Sequence, residues 1–284
     1  MPQKNKLDNS GRYDILLFRT SCSFTLPKGK IMKKLFFPLF CCTTALFLAG
    51  CAGSMDYYTS DLTVQELEKK MAQALDPRQR FASAKRFTQR FEVKTTVGLL
   101  EPPKEEFVEV KFAAPGNFKI TTSDDKGLHY GYIFNDAGGY MINYRTKSVK
   151  ALAPEMLAHL RTMREIADPV MELESVFKYI EIKRGIAGDK AFYRLRCRKT
   201  PDANPLDFFI SARDYRLRSL AGKIKIGSAV LDYSSTVVNY ALNEGIMVAD
   251  LTKSNTNGTK TQSKLLYFKL DPYFSPDEFK IPVF

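Results

Sequence analysis

The sequence predicts an α+β domain in which one antiparallel sheet, strongly curved or nearly closed, packs against a few helices. From about residue 87, apolar and polar residues alternate with a period of two over several runs. Short turn sequences rich in Pro, Gly, Asn and Asp separate these runs, as expected for strands joined by hairpins. Helical spacing of apolar residues occurs only near residues 63–77 and in residues 154–180.

The first apolar segment is typical of a secretory signal peptide. Lys33 and Lys34 precede it, and its 14 residues, 35–48, would rise only about 21 Å as a helix, short of a roughly 30 Å hydrocarbon core. It ends in Leu-Ala-Gly-Cys51, which resembles the bacterial lipobox, where cleavage precedes a lipid-modified cysteine. We therefore expect a mature chain that begins at acylated Cys51. A buried apolar helix, or a signal peptide cut elsewhere, is the alternative.

The lipobox sets the expected domain boundaries. Residues 1–31 lie upstream of a complete signal and are interpreted as an over-called translation start, and residues 32–50 are the signal. Residues 51–60 form an acylated tether, and residues 61–284 form one domain. No Asp follows Cys51 in Ala-Gly-Ser, which favours the outer membrane over the inner one, with the domain facing the periplasm.

Removing residues 1–50 changes the bulk properties. It leaves 234 residues and lowers the formal net charge from +12 to +6, a mild excess that does not suggest nucleic acid and suits an anionic lipid surface. Once Cys51 is acylated, only Cys197 remains, so we expect no intramolecular disulfide and an inert, buried thiol. We expect a monomer.

The first helix follows the tether. Thr63 and Glu66 have the spacing of a capping box, and Pro77 ends the helical pattern. The apolar positions between them are Val64, Leu67, Met71 and Leu75.

Strands are predicted on both sides of the inserted helices. The first block contains strands around residues 87–97, 108–112, 118–120, 130–134 and 140–144. After the helical stretch 154–180, strands are expected at 192–198, 206–210, 217–226, 230–240 and 265–270, with a hydrophilic loop at 253–261.

This order of elements resembles the LolA/LolB-like family of bacterial lipoprotein carriers and receptors. The matching stretches are the strand-turn-strand 112–120, the strand-hairpin-strand 132–144 and the closing segment 274–282. Together with the helix from Leu62, the resemblance covers most of residues 62–282. The family commonly has Trp in its strands, and this chain has none.

The resemblance implies a half-open β-barrel whose N-terminal and inserted helices cap an apolar cavity for acyl chains. A solid core built from the same residues is the alternative. The expected lining positions alternate along the strands: Phe91, Val93, Val110, Phe112, Phe118, Ile120, Tyr132 and Phe134. Met71, Met156, Met163 and Met171 on the helices would add adaptable side chains.

The resemblance also implies a leucine that enters the membrane from a protruding loop, as in the anchored receptor branch of the family. Leu128, after the turn at residues 124–127, is one candidate, and Leu99 with Leu100 is another. Each of these leucines could instead fold back onto the core.

A basic surface is predicted on one strand. Arg194, Arg196 and Arg198 alternate with apolar residues and therefore share one face. They would contact anionic headgroups or an acidic carrier protein, or they form a solvated outer face that deters aggregation.

Catalysis has little support in the sequence. His129 and His159 are thirty residues apart in different predicted elements, and no established catalytic or metal-binding motif is present. We therefore expect no enzyme activity, no cofactor and no metal.

The predicted function is a membrane-anchored lipoprotein that binds the acyl chains of a lipoprotein or lipid for localisation or transport at the outer membrane. The alternative is a non-catalytic structural or envelope-stress-sensing module acting through protein contacts.

Overall fold

A computed structural model describes residues 55–97, 102–167, 172–226 and 229–284. The strands of the first half are β1 (Asp56–Thr59), β2 (Arg86–Thr96), β3 (Lys104–Ala113), β4 (Asn117–Asp124), β5 (Gly127–Asn135), β6 (Gly138–Asn143) and β7 (Ser148–Ala151). Those of the second half are β8 (Tyr179–Ala187), β9 (Lys190–Arg198), β10 (Leu206–Ser211), β11 (Leu217–Ile226), β12 (Ala229–Asn243), β13 (Ile246–Thr256) and β14 (Thr259–Leu270). The helices are α1 (Val64–Leu75), α2 (Arg80–Ser83), α3 (Pro154–Ala167) and α4 (Leu173–Val176).

The fourteen described strands form a single antiparallel sheet in the order β1-β8-β9-β10-β11-β12-β13-β14-β2-β3-β4-β5-β6-β7. The two halves of the chain meet where β14 pairs with β2, a ladder that runs from Lys260 opposite Thr96 to Leu270 opposite Phe87. Strands β1 and β7 lie at the two ends of this order and do not pair with each other, so the described sheet is not closed. The predicted α+β class and antiparallel pairing are confirmed.

Helix α1 begins as its sequence predicts. The Thr63 hydroxyl accepts a hydrogen bond from the Glu66 backbone at 3.3 Å, and the Thr63 backbone donates to the Glu66 carboxylate at 2.8 Å. Leu67, Met71 and Leu75 are buried. None of the helices in the described part of the chain is both long and apolar enough to cross a bilayer.

A side chain directly after α1 caps the start of the next helix. The buried Asp76 carboxylate accepts hydrogen bonds from the backbone N–H groups of Arg80 and Phe81, at 2.9 and 2.7 Å. It therefore satisfies donors of the first turn of α2 that have no partner within the helix.

The prediction of a hydrophilic loop at residues 253–261 is wrong. Strand β13 continues to Thr256 and β14 starts at Thr259, with only Asn257 and Gly258 between them. Both turn residues have positive φ, 49° and 87°, which is the geometry that an Asn-Gly hairpin turn adopts. The polarity of this stretch was mistaken for a loop signal, although β-branched threonines suit strands well.

The stretch predicted as a tether also contains structure. Tyr57 and Tyr58 belong to β1, which pairs with residues 183–186 of β8. Helix α3 lies in the helical stretch predicted at residues 154–180, but the second helix of that stretch is only Leu173–Val176, and β8 already begins at Tyr179.

Candidate functional site

The eight predicted lining residues lie on one face of the sheet and join one apolar cluster. Val93, Val110, Phe118 and Phe134 are buried in it, and the other four predicted residues pack against it half-buried: Phe91, Phe112, Ile120 and Tyr132. All eight side chains therefore share one face of the sheet, which we call the core face.

Strand register aligns these side chains into rows across the sheet. Phe87 lies opposite Phe112, Phe112 opposite Phe118, and Phe118 opposite Phe134, so four phenylalanines cross β2 to β5 in line. The Phe87 and Phe112 rings stack with centroids 5.3 Å apart, and the Phe118 and Phe134 rings with centroids 5.7 Å apart. Offset aromatic pairs of this kind add stabilisation beyond their buried area. The row makes this part of the core face continuous and apolar.

Several members of the cluster were absent from the predicted set. The additional buried members are Phe87, Val108, Ile246, Val248, Leu265 and Phe268. Phe87 and Val108 continue the alternation already recognised in β2 and β3. Ile246 and Val248 follow the turn at Glu244 and Gly245, and this turn with the apolar alternation after it is the signal that could have located β13.

Helix α3 covers one part of the cluster. Leu157 and Leu160, spaced as neighbours on a helix face, pack against it. The Cδ1 atom of Leu157 would lie 2.8 Å from a Cβ placed on Gly139, so the missing side chain at Gly139 gives Leu157 room to approach β6. Met156 on the same helix is half-buried. Met71 is buried on α1, and the side chains of Met163 and Met171 lie outside the described residues.

The core face becomes polar toward one end of the strands. Glu106 lies directly opposite Val93 on β3, is buried, and pairs with the ammonium group of Lys104. Thr95, opposite Lys104, is also buried. Beyond the apolar rows, the face therefore offers an ion pair and a hydroxyl instead of hydrocarbon.

Solved structures of other proteins share this architecture. A scan of protein-family models finds no match, and a search of curated proteins finds no relative of significant similarity. Among solved structures, a LolA superfamily protein from Nitrosomonas europaea superposes with a TM-score of 0.54 at 10% identity, covering 78% of this chain and 98% of that one. A DUF1329 family protein from Desulfovibrio piger gives 0.51 at 10% identity, covering 75% and 94%. The chain has a LolA-like fold. The predicted resemblance is thus confirmed at the level of the fold.

Within the LolA-like fold, Leu128 lies at a hairpin tip. It is 47% exposed and sits opposite Ser123, at the start of β5. Its neighbour His129 is buried, with its Nε2 atom 2.6 Å from the Asp124 carboxylate and 2.9 Å from the Arg145 guanidinium. Burial opposes ionisation of Asp124, but the hydrogen bonds from His129 and the Lys126 backbone outweigh it and lower the pKa of that carboxyl. These contacts fix the hairpin beside an exposed leucine. Leu99 and Leu100 lie outside the described residues.

The three arginines of the predicted basic surface share one face of β9 but differ in their contacts. Arg196 forms two hydrogen bonds of 2.9 Å with the Asp207 carboxylate, which raises the pKa of this guanidinium. The Arg194 guanidinium lies over the Tyr57 ring, 4.2 Å from its centroid. Arg198 lies opposite Tyr179 on β8. One of the three charges is therefore already paired.

Two further titratable groups discussed above, Cys197 and His159, lie on β9 and α3. Cys197 is fully buried, as predicted, and burial raises the pKa of its thiol. Burial on α3, with Lys199 nearby, lowers the pKa of His159 to about 4. No three His, Cys, Asp or Glu side chains converge on a possible metal site within the described residues.

Away from the apolar cluster lies an open cleft of about 510 Å³ between β11, β12 and the turn that follows β13. Its lining includes Lys223, Asp232, Ser234, Asn255 and Asn257. It shares no residue with the predicted acyl-binding set.

Proposed function

We propose that this chain is a lipoprotein, acylated at Cys51 and anchored in the outer membrane facing the periplasm, that binds acyl chains of a lipoprotein or lipid. The acyl chains would lie on the core face, between the sheet and the helices, in a half-open barrel. The observation that carries the proposal is the continuous apolar face formed by the row of phenylalanines, within a fold that solved LolA-type proteins also have.

The position of α3 supports a strongly curved sheet. Leu157 contacts β6 beside Gly139, and five residues later the Thr162 hydroxyl accepts a hydrogen bond from Lys199, directly after β9. Ten strand spacings separate β6 from β9 in the sheet order, about 48 Å if the sheet were flat. Five helical residues span only about 7.5 Å. The sheet must therefore curl for one helix to reach both places, which leaves α3 across the opening.

The contacts of α3 suit a displaceable cap. Leu157 and Leu160 supply apolar contacts to the cluster, and Met156 on the same helix is half-buried; these flexible side chains can change rotamer. We propose that an entering acyl chain replaces these contacts with its own, so that binding exchanges one apolar neighbour for another. Leu128 would reach the membrane from its hairpin tip, and a periplasmic carrier would deliver the cargo.

Lipid binding provides the test of the acyl-binding proposal. Native mass spectrometry of the purified protein should detect bound lipid, and a fluorescent fatty acid should bind one per chain. Ile120→Glu places a carboxylate among half-buried apolar side chains and should weaken this binding at least tenfold. Tyr273→Ser, at an 83% exposed position, is the matched control and should leave binding unchanged.

A negative result would distinguish a solid core from an acyl-binding face. If the wild-type protein carries no lipid and binds no fatty acid, the cluster is a solid core and a protein-contact module becomes the better explanation. Far-UV circular dichroism of Ile120→Glu must match the wild type, so that lost binding is not lost folding. Anchoring is tested separately, because Cys51→Ser should abolish labelling by radioactive palmitate.

A further inference from the structure

The first strand pair after the expected anchor carries an unusual share of exposed apolar side chains. Tyr58 on β1, Tyr179 and Ile186 on β8, and Met55 just before β1 are each at least 41% exposed. Tyr58 lies opposite Arg184, and Ile186 lies opposite Asp56, so Tyr58 and Ile186 are diagonal neighbours on one face. Exposed apolar groups that cluster on one edge mark an interaction surface.

Unpaired basic side chains surround these residues. Within the described residues, Lys190, Arg194 and Arg198 form no ion pair, whereas Lys183 pairs with Glu181 and Arg184 with Asp61. Arg194 lies opposite Lys183, and Arg198 lies opposite the exposed Tyr179. The edge thus combines positive charge with tyrosine and aliphatic groups, the combination enriched where proteins meet lipid headgroups.

The chain itself limits how far this edge can lie from the bilayer. Five Cα steps join Cys51 to Asp56, the first residue of β1, and a polypeptide of that length spans at most about 18 Å. This step rests on the proposed acylation of Cys51. An acylated cysteine sits at the membrane surface, so β1 stays close to the headgroups whatever the conformation of the intervening residues.

We propose that the β1–β8 edge, defined as residues 55–59 with 179–187 and the basic residues of β9, docks edge-on against anionic phospholipid headgroups. An edge-on approach brings both faces of β1 to the surface, Tyr58 with Ile186 on one side and Arg194 with Arg198 on the other. The occupant is a bilayer rather than another strand, because β1 offers only four residues and its surroundings carry like charges that oppose strand addition. The orientation of the domain on the membrane follows from this contact.

The absence of tryptophan from the sequence allows a direct test. Acylated full-length mature protein carrying Tyr58→Trp is reconstituted into vesicles of phosphatidylethanolamine and phosphatidylglycerol that contain brominated lipids. Fluorescence quenching should be at least twofold stronger than for the control Tyr273→Trp, an exposed site in the C-terminal segment. Lys190→Gln combined with Arg198→Gln should reduce the quenching of Tyr58→Trp, as should high salt or replacement of phosphatidylglycerol by phosphatidylcholine.

The outcomes separate this inference from the proposed function. Protein that floats with vesicles but shows equal quenching for Tyr58→Trp and Tyr273→Trp overturns the edge contact and leaves acylation and acyl-chain binding intact. Protein that does not float lacks the anchor, which overturns the edge contact and the proposed acylation, whereas acyl-chain binding is decided by the separate lipid-binding test. Leu128→Trp in the same vesicles supplies a third reporter, and quenching there alone would mean that the hairpin tip, not the β1–β8 edge, meets the membrane.

Discussion

Lys111 and Lys119 lie directly opposite each other on β3 and β4, and their ammonium groups contact the same carboxylate oxygen of Glu278, each at 3.0 Å. Two like charges at such a position oppose strand pairing. Glu278 removes this repulsion, and the Asn135 side chain donates to the neighbouring Phe279 carbonyl at 2.8 Å. The C-terminal segment is therefore bound to the face of the sheet opposite the core face.

We predict that Glu278→Gln destabilises the protein by about 1–3 kcal/mol. The substitution removes the carboxylate that the two half-buried lysines share and leaves Glu109, 3.3 Å from the Lys111 ammonium group, as the remaining counter-charge. Urea unfolding monitored by circular dichroism measures the change. The neighbouring Asp277→Asn is the control, because the Asp277–Lys280 pair is more than 70% exposed and its loss should change stability by less than about 0.5 kcal/mol. Equal effects of the two substitutions would contradict the shared-carboxylate interpretation.

The same carboxylate predicts a loss of stability in acid. Burial opposes ionisation of Glu278, but hydrogen bonds from Lys119 and Lys111 outweigh it and lower the pKa of this group from its ordinary value of 4.5. A depressed folded-state pKa contributes stability that is present above 4.5 and is lost as the pH falls through the folded value. Unfolding free energies below pH 4.5 should therefore fall less steeply in Glu278→Gln than in the wild type. Parallel curves would count against this linkage.

His159 predicts a second pH dependence of the free energy of unfolding, at a higher pH than that of Glu278. Its pKa is lowered from 6.5 to about 4, first by burial and then by the charge of Lys199. The unfolded chain therefore binds a proton near pH 6.5 while the folded chain does not, so stability is lost as the pH falls from 6.5 toward 4. His159→Gln should remove this component, most visibly between pH 6.5 and 5, where Glu278 remains ionised. A histidine resonance of the folded protein that titrates near pH 6.5 and disappears in His159→Gln would refute the prediction.

Cys197 should be unreactive in the folded protein. Its thiol is fully buried, and burial raises its pKa, so almost no nucleophilic thiolate is exposed at neutral pH. In mature protein with Cys51 acylated, a thiol-specific reagent should label less than about one tenth of the chains within the time that labels all of them in urea. Rapid labelling of the native protein would show that β9 opens easily.

Gly222 is predicted to tolerate no side chain. A Cβ at this position would lie 2.4 Å from the Pro205 carbonyl oxygen, a backbone atom that cannot move without shifting the chain. Gly222→Ala should destabilise the protein by more than about 1 kcal/mol in urea unfolding. Gly116→Ala is the matched control, since nothing lies within 4 Å of its Cβ position, and it should change stability by less than about 0.5 kcal/mol.

The sequence by itself determined the local features. Thr63 and Glu66 predicted the start of α1, because a capping box is formed within one turn of chain. Alternation placed residues such as Val110 and Phe118 on one face, because successive side chains of a strand point to opposite sides. The expected lipobox at Cys51 is equally local and remains a prediction.

Only the tertiary structure decided which distant segments meet. The pairing of Leu270 with Phe87, the place of β1 beside β8, and the position of Glu278 between two lysines depend on packing of segments far apart in the chain. Periodicity identifies the face on which a residue lies but not the strand beside it, because many registers satisfy the same alternation. The row of four phenylalanines arises from that register, and so does the continuous apolar face proposed to bind acyl chains.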